Sequence, residues 1–371
     1  MSGTSLDGVD AVLMRAPSGP SETAGVQVLH HQAQRLPDAL RARLLALNSP
    51  GADELHHAAL AANALARCYA DAVAALLRQA GVAAAAVRAV GAHGQTVRHR
   101  PGEFDATGYT LQLLNGALLA ECCGIDVVCD FRSRDVAAGG QGAPLVPGFH
   151  AAVFHQPGLP QALLNLGGIG NLTLLDGHGG VRGFDCGPGN ALLDAWCQQH
   201  RGEAYDDQGR WAASGRVDAV LLAALLDEPF LAHPPPKSTG RDLFNPAWLA
   251  ARLQAAGATA RALAPADVQA TLAELTVQAA AQALRAHLPQ ARRLLVCGGG
   301  AFNTHLMQRL AALLAGLTVA STASAGLPPL QVEAAAFAWL AQAFVERRPA
   351  NCPAVTGAAG HRVLGALYPA A

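Results

Sequence analysis

Residues 183–190, GFDCGPGN, hold one carboxylate, Asp185, among three glycines and a proline. Glycine permits positive φ and close backbone approach, and Pro188 fixes its own φ, so the segment reads as a stiff turn against which a substrate can lie. A carboxylate displayed there is a candidate catalytic base. An Asx-type turn without chemistry fits the same residues. Five further turns mix glycine with hydroxyl, amide or carboxylate residues: GTSLDG at 3–8, AHGQT at 92–96, GGQGAP at 139–144, LGGIGN at 166–171 and CGGGAFN at 297–303. Backbone N–H groups in such turns form anion-binding concavities, and a helix opening just after one adds its positive dipole end. Several of them converging would suit a polyphosphate.

Three familiar nucleotide chemistries are excluded. A Walker A loop needs a lysine after its last glycine, whereas the chain's one lysine, Lys237, follows three prolines. The dinucleotide fingerprint fails because Asn303 stands where a third glycine is required after Gly298 and Gly300. The HRD and DFG motifs of protein kinases are absent. Phosphates, if handled, must be held mainly by backbone amides, hydroxyls and a metal.

The elements that would position these turns alternate between short apolar strands and longer alanine-rich helices, an α/β pattern. Residues 53–80 have the periodicity of a long helix, unbroken by glycine or proline. Strands are expected at 87–91, 109–113, 125–129, 162–166, 172–175 and 293–297, with 166–171 a hairpin turn between two of them. A helical pattern runs from Asp267 to about His287, and Asn303 opens an amphipathic helix behind the glycine triplet. The proline run 234–236 and residues 17–25 read as loops, and no repeat of solenoid period is found.

With 371 residues, 51% of them hydrophobic and 14% charged, the chain is long enough for two well-cored domains. A formal charge of -1 argues against nucleic acid as partner. Eight cysteines form no CxxC pair, which fits a reducing compartment, and Cys122, Cys123 and Cys129 lack zinc-ligand spacing. The start lacks a charged secretory n-region and no uninterrupted apolar run reaches membrane-spanning length, so a cytoplasmic protein is expected.

A Gly/Thr/Ser/Asp turn at the start, a glycine turn between paired strands and a late glycine triplet follow the layout of the two-domain acetate and sugar kinase, heat-shock and actin superfamily. Within it the chain resembles the bacterial anhydro-N-acetylmuramic acid kinases over nearly its whole length. The motifs are MSGTSLDGVD at 1–10, HGQTV at 93–97, DFRSRDVAAGGQGAPLVPGFH at 130–150, NLGGIGNLT at 165–173 and GFDCGPGNALLDAW at 183–196. PKSTGRDLFN at 236–245, DVQATLAELT at 267–276, VCGGGAFN at 296–303, EAAAFAWLA at 333–341 and VTGA at 355–358 complete them.

The resemblance implies an actin-like, ribonuclease H-like fold: mixed central sheets flanked by helices, with an interdomain cleft. Its expected domains are 1–128 with 346–371, carrying the phosphate loop, and 129–345, carrying the catalytic aspartate and the adenosine side. It implies an ATP-dependent enzyme that hydrolytically opens the 1,6-anhydro ring of anhydro-N-acetylmuramic acid and phosphorylates O6, giving N-acetylmuramic acid 6-phosphate in peptidoglycan recycling. Asp185 would take a proton from the water attacking the anomeric carbon while O6 leaves for the γ-phosphoryl group. One base then suffices, unlike the paired carboxylates of ordinary glycosidases. His93, Gln95, Thr96, Arg132 and Glu333 would line the sugar pocket, with Arg132 facing the lactyl carboxylate. Gly3, Thr4, Ser5, Asp7, Gly8, Gly167, Gly168, Gly298, Gly299 and Gly300 would hold ATP. Magnesium would be carried mainly by ATP and water, near Asp7, without a dedicated protein site. A homodimer is implied by resemblance alone.

Each of these polar residues also has a structural reading: His93 as a core histidine, Thr96 as a turn cap, Glu333 at a helix start, Arg132 in an ion pair. Lys237 and Arg241 read as part of a solvated loop. Three departures from the family pattern stand out: no apolar strand precedes MSGTSLDG, Leu114-Asn115 replaces the usual Gly-Asp, and Cys186 replaces threonine beside Asp185. Three other activities compete: a plain sugar kinase, an ATP-dependent clamp without catalysis, and a glycosidase acting without ATP.

Overall fold

The computed structural model describes residues 1–3, 6, 8–15, 26–240, 242–257 and 262–370. The chain divides into two compact units, Met1–Val153 with Gln331–Ala371, and Phe154–Leu330.

The second unit is built on a five-stranded mixed sheet. Its spatial order is Thr318–Ser321, Arg293–Cys297, Gln161–Leu166, Ile169–Leu175, Val181–Pro188. The first three strands run parallel, and Ile169–Leu175 alone is antiparallel to its neighbours. Numbered along the chain and read from the Val181–Pro188 edge, the order is 3-2-1-4-5, that of the ribonuclease H-like unit the resemblance implied. Parallel strands covered on both faces need continuous apolar runs. Leu163, Leu164, Leu294, Leu295 and Val296 supply them, all fully buried. The helix Pro265–His287 buries Val268, Leu272, Leu275 and Ala279 at helical spacing. Each such Leu or Val contributes about 1.5–3 kcal/mol of transfer free energy.

In the first unit the described strands form three small sheets. Gly8–Arg15 pairs with Gln27–Arg35, Gln95–Pro101 with Gly108–Leu113, and Val127–Cys129 lies between Val90–Gly91 and Ala366–Tyr368. The helix Glu54–Ala80 spans 27 residues, as the periodicity required. It ends at Gly81, whose φ of 64° is the left-handed cap conformation that glycine adopts at least cost. By length and composition it could cross a membrane. Its stripe of Ala61, Leu65, Tyr69, Ala72 and Leu76 is instead buried in the unit, with Leu65, Tyr69 and Ala72 in one core with Leu44, Leu119 and Val127.

Several strand expectations shift. The strands expected at 87–91 and 125–129 shorten to Val90–Gly91 and Val127–Cys129, because cross-strand pairing begins only at Val90. Strands Gly8–Arg15, Gln27–Arg35, Gln95–Pro101 and Thr318–Ser321 were not expected: Gln27–Arg35 and Gln95–Pro101 are largely polar, Thr318–Ser321 has only four residues, and Gly8–Arg15 pairs along its length with the polar Gln27–Arg35. The units also divide elsewhere than at 128/129 and 345/346. Asp135 is hydrogen-bonded to Asn351 and Thr356, and Gly91 packs against the Phe337 carbonyl. Residues 129–153 and 331–345 therefore belong with the first unit.

Candidate active site

Asp185 sits in a strand, not the turn its glycines suggested. Val181–Pro188 pairs with Ile169–Leu175, with Asn171 opposite Asp185 and Gly170 opposite Gly187. Cys186 is thus the extra residue of a β-bulge, a device that re-aims side chains beside it. The Asp185 N–H donates to the Lys237 carbonyl at 3.1 Å. Its Oδ2 accepts from Ser238 Oγ and the Thr239 N–H, both at 2.9 Å. Oδ1 takes no hydrogen bond among the described residues. Burial pushes the carboxyl pKa up, and the two hydrogen bonds and the Lys237 charge only partly oppose it. One oxygen held and one spare, on a carboxylate more basic than usual, is what a general base requires.

Lys237 is not a solvated side chain. Its Nζ donates to the carbonyls of Phe230 at 3.0 Å and Leu231 at 2.9 Å, and lies 4.8 Å from the Phe230 ring centroid. It anchors the segment that grips Asp185. Arg241 lies outside the described residues. Cys186 is buried, its thiol pushed up to about 12 mainly by desolvation, and its Sγ donates to the Gly170 carbonyl at 3.2 Å. The donor role of a hydroxyl is therefore retained in weaker form.

The two glycine turns of this unit meet. A Cβ on Gly298 would lie 2.4 Å from Asn165 Oδ1, and one on Gly300 would lie 2.4 Å from Leu166 Cβ. Only glycine lets the triplet close on the Leu166 turn. Gly299 faces open space apart from Asn190 Nδ2 at 3.7 Å. The N–H groups of Asn190, Gly189 and Ala191 donate to the carbonyls of Gly167 and Gly168 at 2.8–3.1 Å. Hence the helix Ala191–Arg201 docks its N-terminus on that turn. Asp185, Gly167, Gly168 and the triplet all lie toward the C-terminal ends of the parallel strands, where open α/β sheets bind ligands. The Thr304–Leu313 helix opens at Asn303 as expected, and Asn303 Oδ1 caps it by accepting from the Leu306 N–H at 3.0 Å.

In the first unit, His93 and Arg132 form one pair. His93 Nδ1 donates to the Gly94 carbonyl at 2.7 Å, which leaves Nε2 as acceptor for Arg132 Nε at 3.1 Å and Nη2 at 3.0 Å. Burial first, then the Arg132 charge, hold the imidazole far below its ordinary pKa, so the ring is neutral. Arg132 Nη1 donates to the Gly142 carbonyl at 2.9 Å. Among the described residues three of the five guanidinium N–H groups are engaged and two are not. Desolvation lowers the Arg132 pKa to about 10 while Glu333 and Asp135 raise it, so the group stays cationic at neutral pH. Glu333 lies in the first turn of Val332–Val345, the helix whose Phe337 ring lies 4.5 Å from His93.

Gln95 is buried and its Oε1 has no hydrogen-bond partner among the described residues. Such orphans are uncommon and call for a donor. Thr96 Oγ1 accepts from Gln112 Nε2 at 3.3 Å. Gly3 and Gly8 are described: the Leu6 N–H closes a turn onto the Gly3 carbonyl at 3.2 Å, and a Cβ on Gly8 would lie 2.5 Å from the Gln34 carbonyl. Thr4, Ser5 and Asp7 lie outside the described residues. Sequence reasoning missed Ser2 and Tyr69. Ser2 Oγ lies 2.9 Å from the Tyr69 hydroxyl and donates to the Gly94 carbonyl at 3.1 Å, joining the N-terminal loop to the HGQT loop. Nothing about a serine beside a glycine loop signals a partner 67 residues away. Asn115, in the usual aspartate position, caps the helix Gly116–Cys123 by accepting from the Leu118 N–H at 2.9 Å.

The family model for anhydro-N-acetylmuramic acid kinase matches residues 1–370. The chain belongs to this family. Proteins of that name from Bordetella petrii, Bordetella avium and Variovorax paradoxus are 62%, 60% and 58% identical to it. Each alignment covers 100% of this chain and 95%, 95% and 98% of the relative. A ROK family glucokinase from Streptomyces griseus aligns at 15% identity over 85% of this chain and 94% of its own. Its TM-score of 0.34 is too low to bear on the fold. Asp185, His93 and Arg132 all lie within motifs of the resemblance.

Proposed function

We propose that this family member uses ATP to convert anhydro-N-acetylmuramic acid to N-acetylmuramic acid 6-phosphate, with Asp185 as the base. Water attacks C1 of the bridged sugar and gives its proton to Asp185 Oδ1. The C1–O6 bond breaks, O6 bonds to the γ-phosphorus, and ADP leaves. The leaving oxygen is captured by phosphorus, so no general acid is needed. The observation that carries this reading is the asymmetric carboxylate: Oδ2 held by Ser238 and Thr239, Oδ1 without a donor among the described residues, and the whole group made more basic by burial.

Arg132 offers its two remaining N–H groups to the lactyl carboxylate, and the orphan Gln95 Oε1 accepts from a sugar hydroxyl or the acetamido N–H. His93 serves by orienting Arg132. Thr96 and Glu333 complete the sugar-binding set. Gly3, Thr4, Ser5, Asp7 and Gly8, with Gly167, Gly168, Gly298, Gly299 and Gly300, hold the nucleotide. Magnesium would neutralise phosphate charge and would be carried mainly by ATP oxygens and water, with Asp7 a residue that would help to hold it. We assign the reaction to cell-wall recycling in the cytoplasm, by a homodimer in the actin-like fold.

Mass spectrometry of the product formed in oxygen-18 water tests the chemistry. The expected product carries one solvent oxygen at C1 and one phosphate. Phosphate without label would indicate a plain sugar kinase, label without ATP a hydrolase, and no turnover a clamp. Sedimentation velocity reads the oligomeric state.

A further inference from the structure

Asp135 follows Arg132 by three residues, and its N–H donates to the Arg132 carbonyl at 3.1 Å. It is fully buried, on the short helix Ser133–Val136 that begins just after Arg132. Both carboxylate oxygens are engaged: Oδ2 accepts from the Gly142 N–H at 2.8 Å, and Oδ1 accepts from Asn351 Nδ2 at 2.8 Å and Thr356 Oγ1 at 2.9 Å. The Gln141 N–H donates to the Thr356 carbonyl at 2.7 Å. Two sides of the segment 140–142 are thus fastened to residues more than 200 positions later, through one carboxylate and one hydroxyl residue.

Gly142 is the link to chemistry. Its N–H goes to Asp135 and its carbonyl to Arg132 Nη1, at 2.8 Å and 2.9 Å. Its φ is +65°, and a Cβ there would lie 2.8 Å from Val136 Cγ2, so the backbone can neither take another side chain nor turn aside easily. The guanidinium is consequently held at two edges, by neutral His93 on the Nε side and by Gly142 on Nη1. Those two contacts fix where the remaining N–H groups point.

We propose that Asp135, with Thr356, is a positioning residue for substrate: it fixes Gly142, and through the Gly142 carbonyl it sets the direction in which Arg132 presents its two remaining N–H groups to the ligand carboxylate. This rests on the reading that Arg132 receives the lactyl group. Asp135 makes no contact with the carboxylate itself. Its negative charge, like that of Glu333, also favours the charged form of the buried guanidinium.

The test compares two ligands by calorimetry: anhydro-N-acetylmuramic acid and the same sugar with the lactyl carboxylate converted to carboxamide. The wild type is expected to prefer the acid. Asp135→Asn and Thr356→Val are expected to weaken the acid by about ten- to a hundredfold, since a small misplacement of a clamp costs that much. Neither should change amide binding more than about twofold. Thr356→Ser, which keeps the hydroxyl, should restore the preference. General loosening of the unit would weaken both ligands alike, and that result, or an undiminished acid preference in Thr356→Val, overturns the inference. A wild type that binds acid and amide equally overturns the Arg132 reading instead. Thr356→Val nearly conserves volume, so it reports even if Asp135→Asn folds poorly.

Discussion

Replacing Asp185 with asparagine should remove activity and raise stability at neutral pH. Asparagine Oδ1 can take over the bonds from Ser238 Oγ and the Thr239 N–H, leaving the amide nitrogen where the spare carboxylate oxygen stood. Loss of a positioned base lowers kcat by about 10²–10⁴, or about 3–5 kcal/mol of barrier. The stability sign follows from the raised pKa. A carboxyl whose folded pKa exceeds its unfolded value binds more protons in the native state, so stability falls as pH climbs from the unfolded value through the folded one. Above that window the cost is fully present, and an uncharged amide removes it. ADP release dependent on anhydro-N-acetylmuramic acid gives the rate, and thermal unfolding at pH 7 and pH 3.5 gives the stability. The substitution should raise Tm at pH 7, with the advantage shrinking at pH 3.5. The wild-type rise of kcat/KM with pH, displaced upward by the burial of Asp185, should vanish. A variant keeping more than a tenth of wild-type kcat, or one markedly less stable at pH 7, would refute the assignment of Asp185 as a buried base.

Buried neutral histidines make the fold acid-sensitive. His93 lies well below 6.5, His99 is lowered to about 4 and His150 to about 3, chiefly by burial. The unfolded chain binds more protons in that window, so stability should fall as pH drops below about 6.5, by about 1–2 kcal/mol per histidine at pH 5. Tm measured from pH 7.5 to 5 in the wild type and His150→Asn checks this: a shallower slope is expected in the variant. Gly300→Ala should cost about 1–3 kcal/mol by overpacking against Leu166. Gly299→Ala, facing open space, should leave Tm nearly unchanged, and equal effects would contradict the packing described. Of the eight cysteines, Cys122 is exposed and Cys186 is buried with its thiol raised to about 12. A thiol reagent on native protein at pH 8 should label Cys122 first and leave Cys186 untouched until unfolding, which peptide mapping would read.

What could be seen in the sequence was what depends on near neighbours. The helix Glu54–Ala80 and the strand Arg293–Cys297 follow from local hydrophobic period and from the absence or presence of glycine. The glycine turns were legible because several of their glycines, Gly298 and Gly300 among them, leave no room for a side chain. Asp185 stood out for the same reason, although the turn proved to be a bulge: one residue inserted opposite Ile169–Leu175 is a property of two strands together. Family membership likewise lies in the chain, since motif after motif recurs in order.

Tertiary structure alone decided how each charged or polar group is spent. Lys237 resembled a solvated lysine until its ammonium met two carbonyls. His93 appeared as a sugar ligand, whereas its Nε2 is turned to Arg132, 39 residues away. Ser2, Asp135, Asn351 and Thr356 gave no sign, because hydrogen-bond partners 67 to 221 positions apart leave no periodic trace. Hydrophobic periodicity is written along the chain because burial selects the same face turn after turn; a hydrogen bond is a single meeting of two atoms, and only the folded backbone determines which atoms meet.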